Sequence, residues 1–413
     1  IEMKILVVGN HTCGNRGDGA IIRGLTQELE SKVPNLELTL MSRFPDSSEM
    51  LIGREFENDW IYNSNQKASS ILSKIKRKLK TKILLKNLRN SIDSPKSIKK
   101  LPKDYQNYIK VLSGYDLIIQ VGGSFFVDLY GIGQFKHAIC ALASETPIAF
   151  LGHSVGPFQN REFNSIAKKV FSSTKLFGLR EAVSKSMVEE SFELPENYFE
   201  GADTAWLVRP IEADIENKAL LNFIDSGNTI AITLRVLAPF DKRLGVSQLQ
   251  YEEAFAKLCN IFIERGYNII ACSTCTGIDG YTKDDRIVAY RVGKLINDRS
   301  KYKVVMDELN DVELGTLISR CKLTIGTRLH SAIISMNFGT PAFAINYEHK
   351  SKGIMNQLGL PELGVDISEL LNGELIEKAD KVLSSLDKFD ITMKSAVQKE
   401  KEKASAMVTL SLK

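Results

Sequence analysis

Apolar runs of strand length recur along this chain, and most end in glycine or a polar residue before a segment of helical periodicity begins. One series comprises MKILVVG (3–9), LELTLMS (36–42), YDLIIQVGG (115–123), TPIAFLGHSVG (146–156) and KLFGLREAVS (175–184). After a less ordered passage around 209–227 a second series follows: NTIAITLR (228–235), YNIIACS (267–273), YKVVMDE (302–308), CKLTIGT (321–327) and TPAFAIN (340–346). Near-continuous apolar strands of this kind are buried on both faces, which is the condition of parallel strands covered by helices. Segments 19–30, 250–265 and 284–297 supply such helices. The expected fold class is therefore α/β with two Rossmann-like domains, at 1–208 and 225–365, a helical segment at 366–413, and a cleft between the domains. In open parallel sheets the carboxyl ends of the strands carry the useful groups, so those ends are where chemistry is sought.

The 413 residues are enough for two cores, and 54 Lys plus Arg against 50 Asp plus Glu leave a net charge of only +4. That balance gives no ground for expecting nucleic acid. Six scattered cysteines, at 13, 140, 259, 272, 275 and 321, together with an opening that shows no signal peptide, lead to the expectation of a reducing cytoplasm. Cys272 and Cys275 form a C-x-x-C, but a second ligand pair at comparable spacing is missing, so no metal is expected.

Charge is concentrated locally. The stretch 71–103 holds twelve Lys or Arg residues and one acid, within a helical insertion expected at about 68–103. Ile71, Leu72, Ile75, Leu79 and Ile83 fall roughly along one helical face, as in a basic amphipathic helix at an anionic membrane surface. A solvated helical insertion fits the same residues.

The first strand is followed by GNHTCGNRGD (9–18), which lacks the G-x-G-x-x-G of a dinucleotide site but places Asn15, Arg16 and Asp18 at a helix entrance. Asp18 has two readings, as a favourable charge on the helix dipole or as a base for a sugar hydroxyl. VGGSFFVDLYG (121–131) sets Ser124 and Asp128 beside the pair Gly122 and Gly123, and GHSVGPF (152–158) sets His153 at the next strand's end. These residues suit a sugar, although strand ends also need turns and caps. Three arginines close apolar runs, Arg180 in FGLRE, Arg235 in AITLR and Arg328 in IGTRLH. A planar, permanently charged fork suits phosphate or carboxylate, and a salt bridge to a neighbouring helix is the structural alternative. His330 follows Arg328 by two residues at a helix start, where a histidine can exchange a proton near neutral pH.

Taken together, NHTCGNRGDGAIIRGL, GGSFFVDLYG, GHSVGPF, LRE, GADTAW, CSTCTGIDGYTKDDR and GTRLHSAIISMNFGTPAFAINYEHKS resemble the polysaccharide pyruvyl transferase family, in its colanic-acid biosynthesis branch, over roughly residues 3–360. The resemblance implies a GT-B-type pair of domains and transfer of pyruvate from phosphoenolpyruvate onto a sugar as a ketal. It implies that Arg328, with Arg235 and Arg180, grips the donor and that His330 activates it. Asp18 is the candidate base, and Asn15, Arg16, Ser124, Asp128 and His153 are candidates for the acceptor. It further implies a galactose-containing, lipid-linked precursor as acceptor and no cofactor beyond the donor substrate. Two other readings remain: a nucleotide-sugar glycosyltransferase on the same architecture, and a noncatalytic carbohydrate- or membrane-binding protein.

Overall fold

The computed structural model describes residues 2–62, 71–280, 283–347 and 349–413. Residues 68–70 of the expected insertion, and Tyr281, Thr282 and Glu348 of the quoted motifs, lie outside the described residues. The chain divides into two compact units. The first comprises Ile1–Thr12, Leu25–Thr204 and Lys403–Lys413, and the second Cys13–Gly24 and Ala205–Glu402.

In the first unit the strands are β1 (Met3–Asn10), β2 (Leu36–Ser42), β3 (Glu57–Asn58), β4 (Leu117–Gln120), β5 (Gly123–Phe126), β6 (Ile148–Val155), β7 (Leu176–Leu179) and β8 (Tyr198–Glu200). They pair in parallel in the order β3-β2-β1-β4-β6-β7-β8, with β5 beside β6. Every residue of β4 and β6 is buried, including the polar Gln120, His153 and Ser154 at their carboxyl ends, as central strands covered on both faces require. An aromatic cluster fills this core: Phe171 stacks on Phe177 with ring centroids 4.3 Å apart, and Phe126 lies 4.9 Å from Phe150.

In the second unit β9 (Thr229–Thr233), β10 (Asn268–Cys272), β11 (Tyr302–Val304), β12 (Leu323–Gly326), β13 (Ala342–Asn346) and β14 (Gly364–Asp366) form a parallel sheet ordered β11-β10-β9-β12-β13-β14. This is the Rossmann order, and the direction of winding reverses between β9 and β12. In the first sheet the reversal falls between β1 and β4. The expected long strand at 115–123 is two short ones, because the chain breaks at Val121 and Gly122 before β5 pairs with β6. The edge strands β3, β8 and β14 carry no apolar run of their own and were not anticipated from sequence. The tail ends in one long helix, Leu386–Leu412.

Candidate active site

Arg235 and Arg328 follow β9 and β12, the two strands that flank the reversal in the second sheet, where side chains and amides from both crossovers converge. The strand ends are tied together by hydroxyls. The buried Tyr251 hydroxyl lies 2.5 Å from Thr327 Oγ1 and accepts the Arg235 N–H at 3.3 Å. Burial keeps Tyr251 protonated, raising its pKa well above the ordinary value against the hydrogen bonds from Thr327 and Arg235, which lower it. Thr233 Oγ1 pairs with Ser331 Oγ at 2.8 Å, and Ser331 Oγ donates to the Arg328 carbonyl at 2.6 Å. Gly326 is required here, since a Cβ would stand 2.2 Å from Ser331 Oγ and 2.8 Å from Thr233 Oγ1.

Arg328 occupies the N-cap of the helix Leu329–Asn337 in extended conformation, so its side chain leaves the helix end rather than continuing its surface. Its guanidinium makes a two-pronged pair with Asp285, Nε to Oδ2 at 2.9 Å and Nη2 to Oδ1 at 3.0 Å. Asp285 opens the helix Asp285–Gly293, is fully buried, and also accepts the Cys275 N–H at 3.3 Å. Burial pushes its pKa up, against the pull of Arg328 and the further charge of Arg235.

Arg235 differs from its neighbour. Its Nε donates to the Val236 carbonyl at 3.0 Å, and its guanidinium lies over the rings of Tyr347, at 4.3 Å, and Phe240, at 5.4 Å. No carboxylate among the described residues pairs with it. Its positive charge is thus held beside the Arg328–Asp285 pair by aromatic faces that do not neutralise it.

His330 sits half-buried in the first turn of Leu329–Asn337, two residues beyond Arg328. Gly17 packs directly on it, since a Cβ at Gly17 would lie 2.7 Å from His330 Cβ and Cγ. The opening loop is pinned in place by Asn15, whose Oδ1 accepts the Gly17 N–H at 3.0 Å and whose backbone bridges Cys275, and by Arg16 N–H donating to the Thr274 carbonyl at 2.9 Å. Asp18 follows in the first turn of Arg16–Lys32, close enough to Cys275 for its charge to act on that thiol. Cys272 and Cys275 are both buried free thiols, raised to about 12 and about 11 chiefly by desolvation.

Arg16, an acceptor candidate from sequence, is only 1% exposed, and its side chain donates to the Leu309 and Gly14 carbonyls, both at 2.6 Å, to Thr276 Oγ1 at 2.8 Å and to Glu308 Oε2 at 2.6 Å. Glu308 also pairs with Arg286 at 2.9 Å. Arg16 is thus a buried clamp of the loop with no face turned to a ligand. Asp285, Glu308, Tyr251 and Tyr347 escaped the sequence reading. Only the acidic pair inside CSTCTGIDGYTKDDR offered a signal, and it named no partner.

The remaining candidates lie in the first unit. Arg180 is buried, with Ser154 Oγ at 2.7 Å, Asp203 Oδ2 at 2.8 Å and Ser124 Oγ at 2.9 Å, so its fork is already filled and Ser124 is part of that network. Asp128 caps the turn before the helix Arg161–Ser173 by accepting the N–H groups of Gln159 and Asn160. His153 is inside the core rather than at a strand's exposed end. It lies among Phe126 and Phe150, paired with the Gln120 carbonyl at 3.0 Å, and is driven down to about 4 by desolvation. Gly122 serves packing, since a Cβ there would meet the Gly152 carbonyl at 2.7 Å.

With this geometry in view, comparisons with known proteins are informative. The family described as polysaccharide pyruvyl transferase matches residues 15–349. The amylovoran biosynthesis protein AmsJ of Erwinia amylovora is 50% identical over 402 residues, 97% of this chain and 96% of that protein. Among solved structures, UDP-GlcNAc 2-epimerase from Neisseria meningitidis bound to UDP-GlcNAc has a TM-score of 0.59 at 11% identity, covering 99% of each chain. Anabaena Alr3699/HepE in complex with UDP and glucose has a TM-score of 0.56 at 12% identity, covering 100% of this chain and 98% of the other. At such identities the likeness shows a shared GT-B-type fold and nothing of the chemistry.

Proposed function

We propose, from the premise that this chain belongs to the polysaccharide pyruvyl transferase family, that it takes phosphoenolpyruvate as donor and closes a pyruvate ketal on a galactose of a lipid-linked exopolysaccharide precursor. The observation that carries the donor assignment is Arg235, an unneutralised guanidinium beside the Arg328–Asp285 pair at the sheet reversal. A phosphate and a carboxylate held close together repel, and a cationic site at a helix N-terminus offsets that repulsion.

In this reading His330 gives a proton to the donor's methylene carbon, which becomes a methyl group and leaves C2 electrophilic. One sugar hydroxyl adds to C2 and loses its proton to Asp18. The second hydroxyl displaces the phosphate and closes the six-membered ring; its proton restores His330, and the departing phosphate takes the proton held by Asp18. One donor and two hydroxyls thus give one ketal and inorganic phosphate. Arg328, fixed by Asp285, orients the anion, while Gly17 fixes the imidazole. The fold alone would also suit a nucleotide-sugar glycosyltransferase. The test is the reaction in deuterated water with a galactose-terminated oligosaccharide. Phosphate release with one deuteron per new methyl group supports the reading, whereas consumption of a nucleotide sugar with phosphoenolpyruvate untouched contradicts it.

No helix among the described residues is long and apolar enough to cross a membrane. The helix Ile71–Asp93 supports the proposal of a surface contact instead. Leu88 and Ser91 seat it on the first unit, while Ile75, Leu79 and Ile83 are 53%, 56% and 59% exposed. Leu79 and Leu88, nine residues apart, point to opposite sides of a helix. The outer stripe is flanked by Lys76, Lys80, Lys82 and Lys86, a pattern suited to an anionic bilayer on the cytoplasmic side bearing the lipid-linked acceptor. Sedimentation with vesicles containing anionic lipid, reduced by Leu79→Asp, is expected, and binding unchanged by that substitution would refute it.

A further inference from the structure

A group of aromatic side chains gathers at the carboxyl ends of the first three strands of the first unit, and neither the donor chemistry nor the core uses it. His11 follows β1, Arg43 and Phe44 follow β2, and Trp60 and Tyr62 follow β3. The His11 and Phe44 rings lie 5.7 Å apart, those of Phe44 and Tyr62 6.0 Å apart, and the Arg43 guanidinium stands 5.3 Å over Tyr62. Trp60 and Tyr62 are 43% and 40% exposed. Large rings left open to water side by side on one short loop make an apolar patch of the kind that marks a binding site.

The loop that carries them is built rather than slack. Asp59 is buried and its Oδ1 accepts the N–H groups of Ile61 at 2.9 Å and Tyr62 at 3.0 Å. Its Oδ2 meets His137 Nε2 at 3.0 Å, and His137 Nδ1 meets the Tyr108 hydroxyl at 2.7 Å. Tyr108 in turn stacks beneath Trp60, with centroids 5.7 Å apart and planes 19° from parallel. Burial opposes ionisation of Asp59, yet His137 and the Tyr62 N–H outweigh it and hold the carboxyl down to about 2. A buried Asp-His-Tyr chain thus presets two exposed rings before any ligand arrives, which removes an ordering cost from binding.

We propose that Trp60 and Tyr62 form the stacking platform for the acceptor sugar, taking the apolar face of a galactopyranoside, with Arg43 and His11 at its polar edge. This deepens the reading of the chain as a sugar-directed pyruvyl transferase and rests on it. The group lies at the carboxyl ends of its strands, where an open parallel sheet holds ligands, and reaches from the edge strand β3 to His11 after β1, which flanks the reversal. The ligand chemistry follows from the group's mixed character. Galactose carries its H3, H4 and H5 atoms on one side, an apolar patch that matches an aromatic face, while its hydroxyls match a guanidinium and an imidazole. Stacked by that patch, the sugar turns its axial O4 away from the rings, and O4 with O6 is the pair that closes a six-membered ketal.

The fluorescence of Trp60 provides the test, because Trp206, the second of two tryptophans, is fully buried. Acrylamide quenching of the intact protein therefore reads Trp60. Methyl β-galactoside is expected to protect it saturably, with glycerol at equal concentration giving no protection. Trp60→Ala and Tyr62→Ala are each expected to raise the acceptor KM about tenfold, with phosphoenolpyruvate affinity held within about twofold. Trp60→Phe is expected to keep most of the wild-type KM. No protection by the galactoside, or unchanged acceptor KM in both alanine variants of folded protein, overturns the platform even if pyruvate transfer is intact. Absence of pyruvate transfer in wild type strikes the functional reading separately, since quenching reports sugar on the rings without turnover.

Discussion

Replacing Arg328 by alanine would strip the partner from a carboxylate that is wholly inside the second unit. Asp285 has no exposed side-chain surface, whereas Arg328 keeps 16%, so the aspartate bears the consequence. Breaking a buried pair by removing one member costs about 3–5 kcal/mol, because the charge left behind is neither solvated nor matched. In a unit of roughly 200 residues each kcal/mol moves the melting temperature about 2–4 °C, which gives a loss of about 6–20 °C. The cost should depend on pH. Burial already raises Asp285, and Arg328 pulls it back. Without Arg328 the folded-state pKa rises further above the unfolded value of about 3.9, so the folded chain holds a proton that the unfolded chain releases. Stability of the variant then falls as pH rises through that window, and its deficit is smaller at pH ~5 than at pH ~8. The double variant Arg328→Ala with Asp285→Asn should regain at least half of the loss at pH ~8, since the unpaired buried carboxylate is gone. Thermal and urea melts of the three proteins at both pH values decide it. A loss below about 1 kcal/mol, or one equal in single and double variants at every pH, would refute the reasoning.

Gly17→Ala forces a methyl group against His330, and a displacement near 1 Å should lower kcat about a hundredfold with little change in phosphoenolpyruvate KM. Arg235→Ala should weaken donor binding about ten- to a hundredfold by the loss of a charged hydrogen-bonding group, and Arg235→Lys should retain part of it, both read by calorimetry. His153 is held down to about 4 in the core while an unfolded histidine titrates near 6.5. The unfolded state therefore binds more protons between those values, and stability due to this group is whole above pH ~6.5 and falls by about 3 kcal/mol as pH drops to ~4. Urea midpoints of wild type and His153→Gln across that range should converge as pH falls.

The strand runs were legible because apolar residues dominate each, and even β2, where Glu37 and Thr39 alternate with leucines, runs over 36–42 as read. The edge strands were not, since β3 is two exposed polar residues whose pairing with Met41 and Ser42 only the folded sheet supplies. At the site, the positions of Arg235 and Arg328 followed from strand ends, but their difference did not. Asp285 lies 43 residues from Arg328 in sequence, and no local pattern says which arginine a distant acid will claim. Arg16 and His153 show the same limit in reverse. A polar residue in a loop or at a strand end reads as available, and only packing reveals whether the fold has already used it.

The most direct test of the central claim is calorimetric titration of phosphoenolpyruvate into the wild-type protein and Arg235→Ala, with and without saturating galactoside and with no nucleotide present. The account predicts saturable binding to wild type that Arg235→Ala weakens about ten- to a hundredfold while its melting temperature stays near that of wild type. Heat-silent titrations in folded wild type under both conditions, alongside saturable binding of a nucleotide sugar, would contradict it.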